Sequence, residues 1–164
     1  MATIDFTSNP RPTLGIEVEL GLVDSNTMAL SSSYADLENW LSEEDKALVK
    51  PELMQCVVEI NTGVCETINE AEQDLQGKIG KLEKAADQAE LRLWWGATHP
   101  FSPWREQKVT PNDRYHKLVE LLQELARRLV TFGLHVHVGV DSGDKAVMIC
   151  DRILRHLPTL LALT

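Results

Sequence analysis

Apolar and polar positions alternate strictly along TLGIEVELGLVD, residues 13–24, with Ile16, Val18, Leu20 and Leu22 on one side and Glu17, Glu19 and Gly21 on the other. A period of two predicts a strand with one apolar face. DSNT at 24–27 has turn chemistry, and MAL can return as a short strand. Residues 31–50 scatter Leu37, Trp40, Leu41 and Leu48 among acids, which predicts a loop and one helix. A second alternating run, LMQCVVEINT, places Gln55, Val57, Glu59 and Asn61 on one face and Cys56, Val58 and Ile60 on the other. Glu52 lies seven residues before Glu59. An unbroken strand turns it to the opposite face, so it reads as a strand-entry acid unless a bulge brings it round.

The period then changes. Ile68, Ala71, Leu75, Ile79, Leu82, Ala86 and Leu93 follow the three-four spacing of an amphipathic helix, with Gly77 and Gly80 weakening its middle. LWWGATH leaves that helix for a third strand, and PFSPWREQKVTPND is a proline-rich loop. A second helix starts near Asp113 on a stripe of Tyr115, Leu118, Leu122, Leu125, Leu129 and Phe132, with Gly133 at its C-terminal cap. The strand LHVHVGV follows, its valines predicted to pack under helices and His135 and His137 to face the other way. DSGD then turns the chain into a third helix from about Lys145, disturbed by Pro158.

Strands buried on both sides are continuously apolar, whereas these have one polar face. The expected fold is therefore α+β: a mostly antiparallel sheet, helices packed on one face, and an open polar active face. Residues 1–164 read as a single domain, with 1–12 as a loose lead-in. The apolar ending LPTLLALT, with no polar tail, reads as the middle of a larger protein.

Composition narrows the partners. The 164 residues carry a formal net charge of −9, which disfavours nucleic acid and anionic membranes as partners. No apolar run reaches the ~18 residues that a membrane span needs, and MATIDFTSNPRPTL lacks the apolar segment of a secretion signal. Three cysteines with no CxxC pair argue against a disulfide framework or a zinc knuckle and for reduced thiols in a cytoplasmic protein.

The polar faces carry the candidate chemistry. If helices cover the apolar side, Glu17, Glu19, Glu59, His135 and His137 share one surface. Crowded carboxylates repel unless cations or protons intervene. Carboxylate oxygens with one or two imidazoles and no thiol suit hard divalent ions, Mg²⁺ or Mn²⁺, more than zinc. Magnesium on a sheet face is a common partner of nucleotide phosphates, so the chemistry indicated is phosphoryl transfer or activation of a carboxylate by ATP. No P-loop, GxGxxG turn or GxSxG elbow is present in the sequence.

Five stretches, TLGIEVELGLVD, VVEINTGVCET, WWGATHPFSPW, TPNDRYHKL and ARRLVTFGLHVHVGVDSGDKAV, together resemble the carboxylate–amine ligases related to glutamate–cysteine ligase, the type 2 glutamate–cysteine ligase family. The resemblance implies half of a catalytic sheet of the glutamine synthetase kind, and a soluble enzyme of glutathione biosynthesis type. It implies ATP with Mg²⁺ or Mn²⁺, a glutamate-type acid activated as an acyl phosphate, and an amine that attacks it. By the same resemblance Glu17, Glu19 and Glu59 are catalytic metal ligands and His135 a further ligand. His137 and Arg114 approach the nucleotide, while Asn61, Thr62, Thr98 and His99 line the substrate side. Members of that family are roughly twice as long, so a chain of this length holds only part of the site. Two readings compete with the ligase: a non-catalytic metal- or nucleotide-binding module, and a metal-dependent hydrolase on the same face. A half-built sheet also predicts self-association as a homodimer or higher homo-oligomer.

Overall fold

The chain folds around one long strand, β1 (Thr13–Asp24), in a computed structural model that describes residues 6–163. All pairings in its five-stranded sheet are antiparallel. Along one edge of β1 runs β3 (Val57–Asn61), which sets Glu17 opposite Asn61 and Glu19 opposite Glu59. The other edge is divided. β5 (Leu134–Gly139) pairs with the first half and sets His135 opposite Glu17, and β4 (Leu91–Trp94) pairs with the last residues, Gly21 to Asp24. Between them the Glu19 N–H donates to the Gly133 carbonyl at 2.9 Å. β2 (Val49–Pro51), which the alternation does not reveal, is the outer partner of β3. Pro51 has no N–H to donate to a ladder, and an edge strand tolerates that.

The period-two reading of β1 holds. Val18, Leu20 and Leu22 are buried with Val58, Ile60 and Leu91 under α2 (Ile68–Gln88), which contributes Leu82, Ala85 and Ala86, and beside Tyr34 and Leu37 of α1 (Tyr34–Asn39). Each fully buried leucine contributes about 1.5–3 kcal/mol relative to exposure. Thr67 caps α2 by accepting from the Glu70 N–H. α2 runs unbroken through Gly77 and Gly80, and a Cβ at either would meet nothing within 4 Å. The helix stops at Gln88, and Glu90 takes a φ of 57°, so Leu93 belongs to β4 rather than to the helix.

The opposite face is open only in part. Its far end is covered by a second cluster: Val23, Leu30, Leu53, Met54, Cys56 and Val57 with Tyr115 of α3 (Asp113–Leu122) and Phe132. Cys56 lies in this cluster rather than beside Val58, because β3 begins only at Val57 and residues 54–56 form a turn. Gly21 makes the cover possible. A Cβ there would lie 2.9 Å from Cζ of Phe132 and 3.2 Å from Cβ of Trp94.

Further local expectations are corrected. The second helix breaks at Gln123, whose φ of 52° ends α3 and begins the short α4 (Glu124–Arg127), leaving Leu125 61% exposed instead of on a continuous stripe. Gly133 is not a helix cap but the residue that enters β5. Val136 and Val138 do alternate with the histidines, yet both are exposed: α2 packs on β1, β3 and β4, and β5 lies beyond it. α5 (Gly143–Ile153), the 3₁₀ turn after it and α6 (Leu157–Leu163) likewise leave Val147, Leu154 and Leu161 exposed. Of the lead-in, residues 1–5 lie outside the described residues. Ser8 and Asn9 are tied down rather than loose, donating to the carbonyls of Asp141 and Val140.

Candidate functional site

Strand parity brings the acids and imidazoles to one surface. Glu17 and Glu19 project from β1, Glu59 from β3, and His135 and His137 from β5. Ligand atoms of Glu17, Glu19 and His135 lie within 4.8 Å of one another, and so do those of Glu19, Glu52 and Glu59. Glu19 therefore belongs to both groups. Backbone geometry fixes it: the Gly133 N–H donates to Glu19 Oε2 at 2.7 Å, and a Cβ on Gly133 would press on that oxygen at 3.2 Å. Glycine at 133 thus serves the site by its missing side chain.

Glu17 sits between the two imidazoles, with Oε1 2.7 Å from His135 Nδ1 and Oε2 3.6 Å from His137 Nε2. The hydrogen bond to Glu17 raises the pKa of His135 above the usual imidazole value, with added support from the charges of Glu17, Glu19 and Glu59. A raised imidazole pKa means that the pair's stabilisation is full at low pH and is lost as pH rises through the folded-state value. We expect an NMR titration of His135 to show a midpoint above that of an unperturbed histidine, and Glu17→Gln to bring it back down. An unshifted midpoint in the unsubstituted chain would contradict the pairing.

Glu52 is the acid of these groups that the sequence pattern misplaces. After Pro51 the chain leaves β2, reverses through residues 52–56, and only then enters β3. Counting seven positions along one strand fails because the strand is interrupted, and no bulge is involved. Proline at the end of a short apolar run was the available signal of an edge strand ending there. Burial raises the pKa of Glu52, its hydrogen bond with Glu59 raises it further, and the Glu59 and Glu19 charges add to both. Glu59 is buried too, which alone would push it up. Its hydrogen bonds from Asn61, Glu52 and Lys50 outweigh that, and its pKa is lowered. The two shifts run in opposite directions: their shared hydrogen bond favours the protonated form of Glu52 and the ionised form of Glu59. An all-carboxylate group with an imidazole beside it is a donor set that fits a hard divalent ion.

Two depressions flank these acids. A cavity of about 240 Å³ is lined by Glu19, Glu52, Arg114, Tyr115, Leu118 and Thr131, among others. A shallower one of about 190 Å³ is lined by Gly15, Ile16, Glu17, Asn61, Thr62 and His137.

Comparison with known proteins now bears on this geometry. The sequence profile of glutamate–cysteine ligase family 2 (GCS2) matches residues 13–164. The chain belongs to that family. A protein of Thermobifida fusca named "Putative glutamate--cysteine ligase 2" is 43% identical over 99% of this chain and 42% of its own length. One of the same name from Gloeobacter violaceus is 38% identical over 99% of this chain and 44% of its own. The chain thus spans less than half the length of these relatives. A crystal structure of glutamate–cysteine ligase from Francisella tularensis, in complex with AMP, shares the fold at a TM-score of 0.59, with 11% identity, over 92% of this chain and 30% of that one. Among the described residues no helix is long and apolar enough to cross a membrane.

The remaining candidates of this glutamate–cysteine ligase family 2 chain fall in different places. Asn61, Thr62 and His137 line the shallow depression. The Thr62 hydroxyl is already engaged, accepting from the Ile16 N–H at 2.9 Å and donating to the Gly63 carbonyl. Arg114 lines the deeper cavity and is the one cationic side chain there among the described residues. His99 has both ring nitrogens on backbone: Nδ1 accepts from the Ser102 N–H, so Nε2 donates to the Met28 carbonyl at 3.0 Å. The ring also packs edge-on against Trp94 and Phe101. Thr98 is exposed, and its carbonyl accepts from the Trp94 indole. The contacts of these two residues lock the loop after β4 and do not reach the carboxylates.

Proposed function

We propose that this chain carries the acid face of an ATP-dependent carboxylate–amine ligase of the glutamate–cysteine ligase kind. The observation that carries the reading is Glu19, shared by two groups of metal-ligating atoms on one rigid sheet face. Glu19, Glu52 and Glu59 would hold one divalent cation, and Glu17, Glu19 and His135 a second. Mg²⁺ or Mn²⁺ bound there supplies positive charge that neutralises phosphate oxygens as the phosphoryl group moves.

The surrounding residues fit the other tasks. An open face bearing Glu17, Glu19, Glu52 and Glu59 repels a triphosphate unless cations intervene, which supports ATP entering with its metal. His137, which lines the shallow depression, would donate to a phosphate oxygen. Asn61, whose amide donates to Glu59, lines the shallow depression and would face the substrate there. Arg114 offers the cationic side chain that recognition of an acid substrate needs.

In the reaction, an oxygen of a glutamate-type carboxylate attacks the γ-phosphorus of ATP, and ADP leaves. The amine nitrogen then attacks the acyl carbon, phosphate departs, and the amine's proton goes to solvent. The Francisella tularensis ligase that shares the fold was crystallised in complex with AMP, which supports a nucleotide as a ligand. The free cysteines Cys56, Cys65 and Cys150 fit a reducing, ATP-rich compartment such as the cytoplasm. The uncovered apolar side of β5 supports self-association.

The test uses the longest polypeptide that the reading frame encodes, supplied with ATP, Mg²⁺, cysteine and glutamate bearing ¹⁸O in its side-chain carboxylate. We expect ADP release that depends on both amino acids and ¹⁸O appearing in the released phosphate. ATP hydrolysis indifferent to glutamate, or phosphate free of ¹⁸O, would contradict the mechanism.

A further inference from the structure

Glu52 reaches the site against electrostatics: its carboxylate is turned onto two others, Glu19 and Glu59, and is partly buried there. Crowding carboxylates and removing them from water both cost free energy. A free loop would swing such a side chain out to solvent. The backbone that carries it must therefore be held.

The segment that holds it is TPNDRY, residues 110–115. The Tyr115 hydroxyl donates to the Pro51 carbonyl at 3.0 Å, the Thr110 hydroxyl donates to the carbonyl of Glu52 itself, and the Thr110 N–H donates to the Leu53 carbonyl at 2.9 Å. Three consecutive carbonyls are thus fixed from one short segment. Both side chains are buried, Thr110 at 8% and Tyr115 at 9% exposure. Just upstream the Gln55 N–H donates to the Lys108 carbonyl, and the Gln55 amide donates to the Val109 carbonyl. Asn112 caps α3 by accepting from the Arg114 N–H, which starts the helix where Tyr115 falls in its first turn.

We propose that Thr110 and Tyr115 are positioning residues that hold the Pro51–Leu53 backbone so that Glu52 can serve as a cation ligand. The inference rests on the metal-binding reading above. Neither residue touches the ion; both act through Glu52. Support of this kind typically changes metal affinity by roughly 10- to 100-fold.

The experiment is a double-mutant cycle on the full chain with Mn²⁺ alone as the probe, its free concentration read by electron paramagnetic resonance. Tyr115→Phe and Thr110→Val each delete one hydroxyl donor, and Thr110→Ser keeps it. We expect each deletion to weaken Mn²⁺ binding by roughly 10-fold, with Thr110→Ser binding as the unsubstituted chain does. In a Glu52→Gln background the same deletions should change affinity by less than about 2-fold, because the effect then has no carboxylate to act through. Equal weakening in both backgrounds would overturn the proposal, since the residues would then act on the fold at large. So would no weakening from either deletion while Glu52→Gln alone weakens binding. Absence of Mn²⁺ binding to the unsubstituted chain would overturn the metal reading and this inference with it, and that outcome is distinct from the other two.

Discussion

Glu19→Gln lowers Mn²⁺ affinity by on the order of 100-fold or more and leaves the chain folded. Glu19 contributes an oxygen to both groups of ligating atoms, so its replacement weakens both, whereas Glu17→Gln or Glu59→Gln removes a ligand from one. The substitution keeps size and shape. It also keeps an acceptor for the Gly133 N–H, the only hydrogen bond recorded for that carboxylate among the described residues. The apolar residues of β1 that build the core point the other way. Urea denaturation of the variant should give a midpoint near that of the unsubstituted chain, while Mn²⁺ titration should show the loss. A collapse of folding would mean that the carboxylate serves the core and not the face.

Gly21→Val destabilises the fold by about 1–3 kcal/mol, the range for side chains forced into packed space. Its first carbon alone would lie 2.9 Å from Phe132 and 3.2 Å from Trp94, before either added methyl is accommodated. Phe132 must move, and it precedes Gly133, whose N–H fixes Glu19. The variant should therefore lose both stability in urea and Mn²⁺ affinity. Full Mn²⁺ affinity in a destabilised Gly21→Val chain would show that the Phe132 packing and the acid face are independent.

The parts of the fold that the sequence made legible are those in which one physical rule acts alone. Strict alternation placed Glu17, Glu19, Glu59, His135 and His137 on one side because β1, β3 and β5 are regular strands whose parity survives pairing. Three-four spacing gave α2 because its apolar face meets a continuous sheet. Parity failed at Glu52, where the chain turns between β2 and β3, and it failed for Cys56 for the same reason. Helical spacing ran too far past Leu122, since Gln123 takes a positive φ of which its side chain gives no warning. The role of Gly133 was hidden as well. A glycine after a helix suggests a cap, and only the folded chain shows Glu19 occupying the space where a side chain would be. The uncovered valines of β5 belong to the same class, because a strand's apolar side does not say whether a helix reaches it.

The account turns on whether the acid face holds cations, and calorimetric titration of the unsubstituted chain with Mn²⁺, in two buffers of different ionisation enthalpy, reads that most directly. The predicted result is saturable binding with release of protons, because the pKa of Glu52 is raised in the cation-free chain and that of His135 is raised beside Glu17. Affinity should rise with pH as those groups give up their protons. Absence of saturable binding, or binding that releases no protons and does not change with pH, would contradict the account.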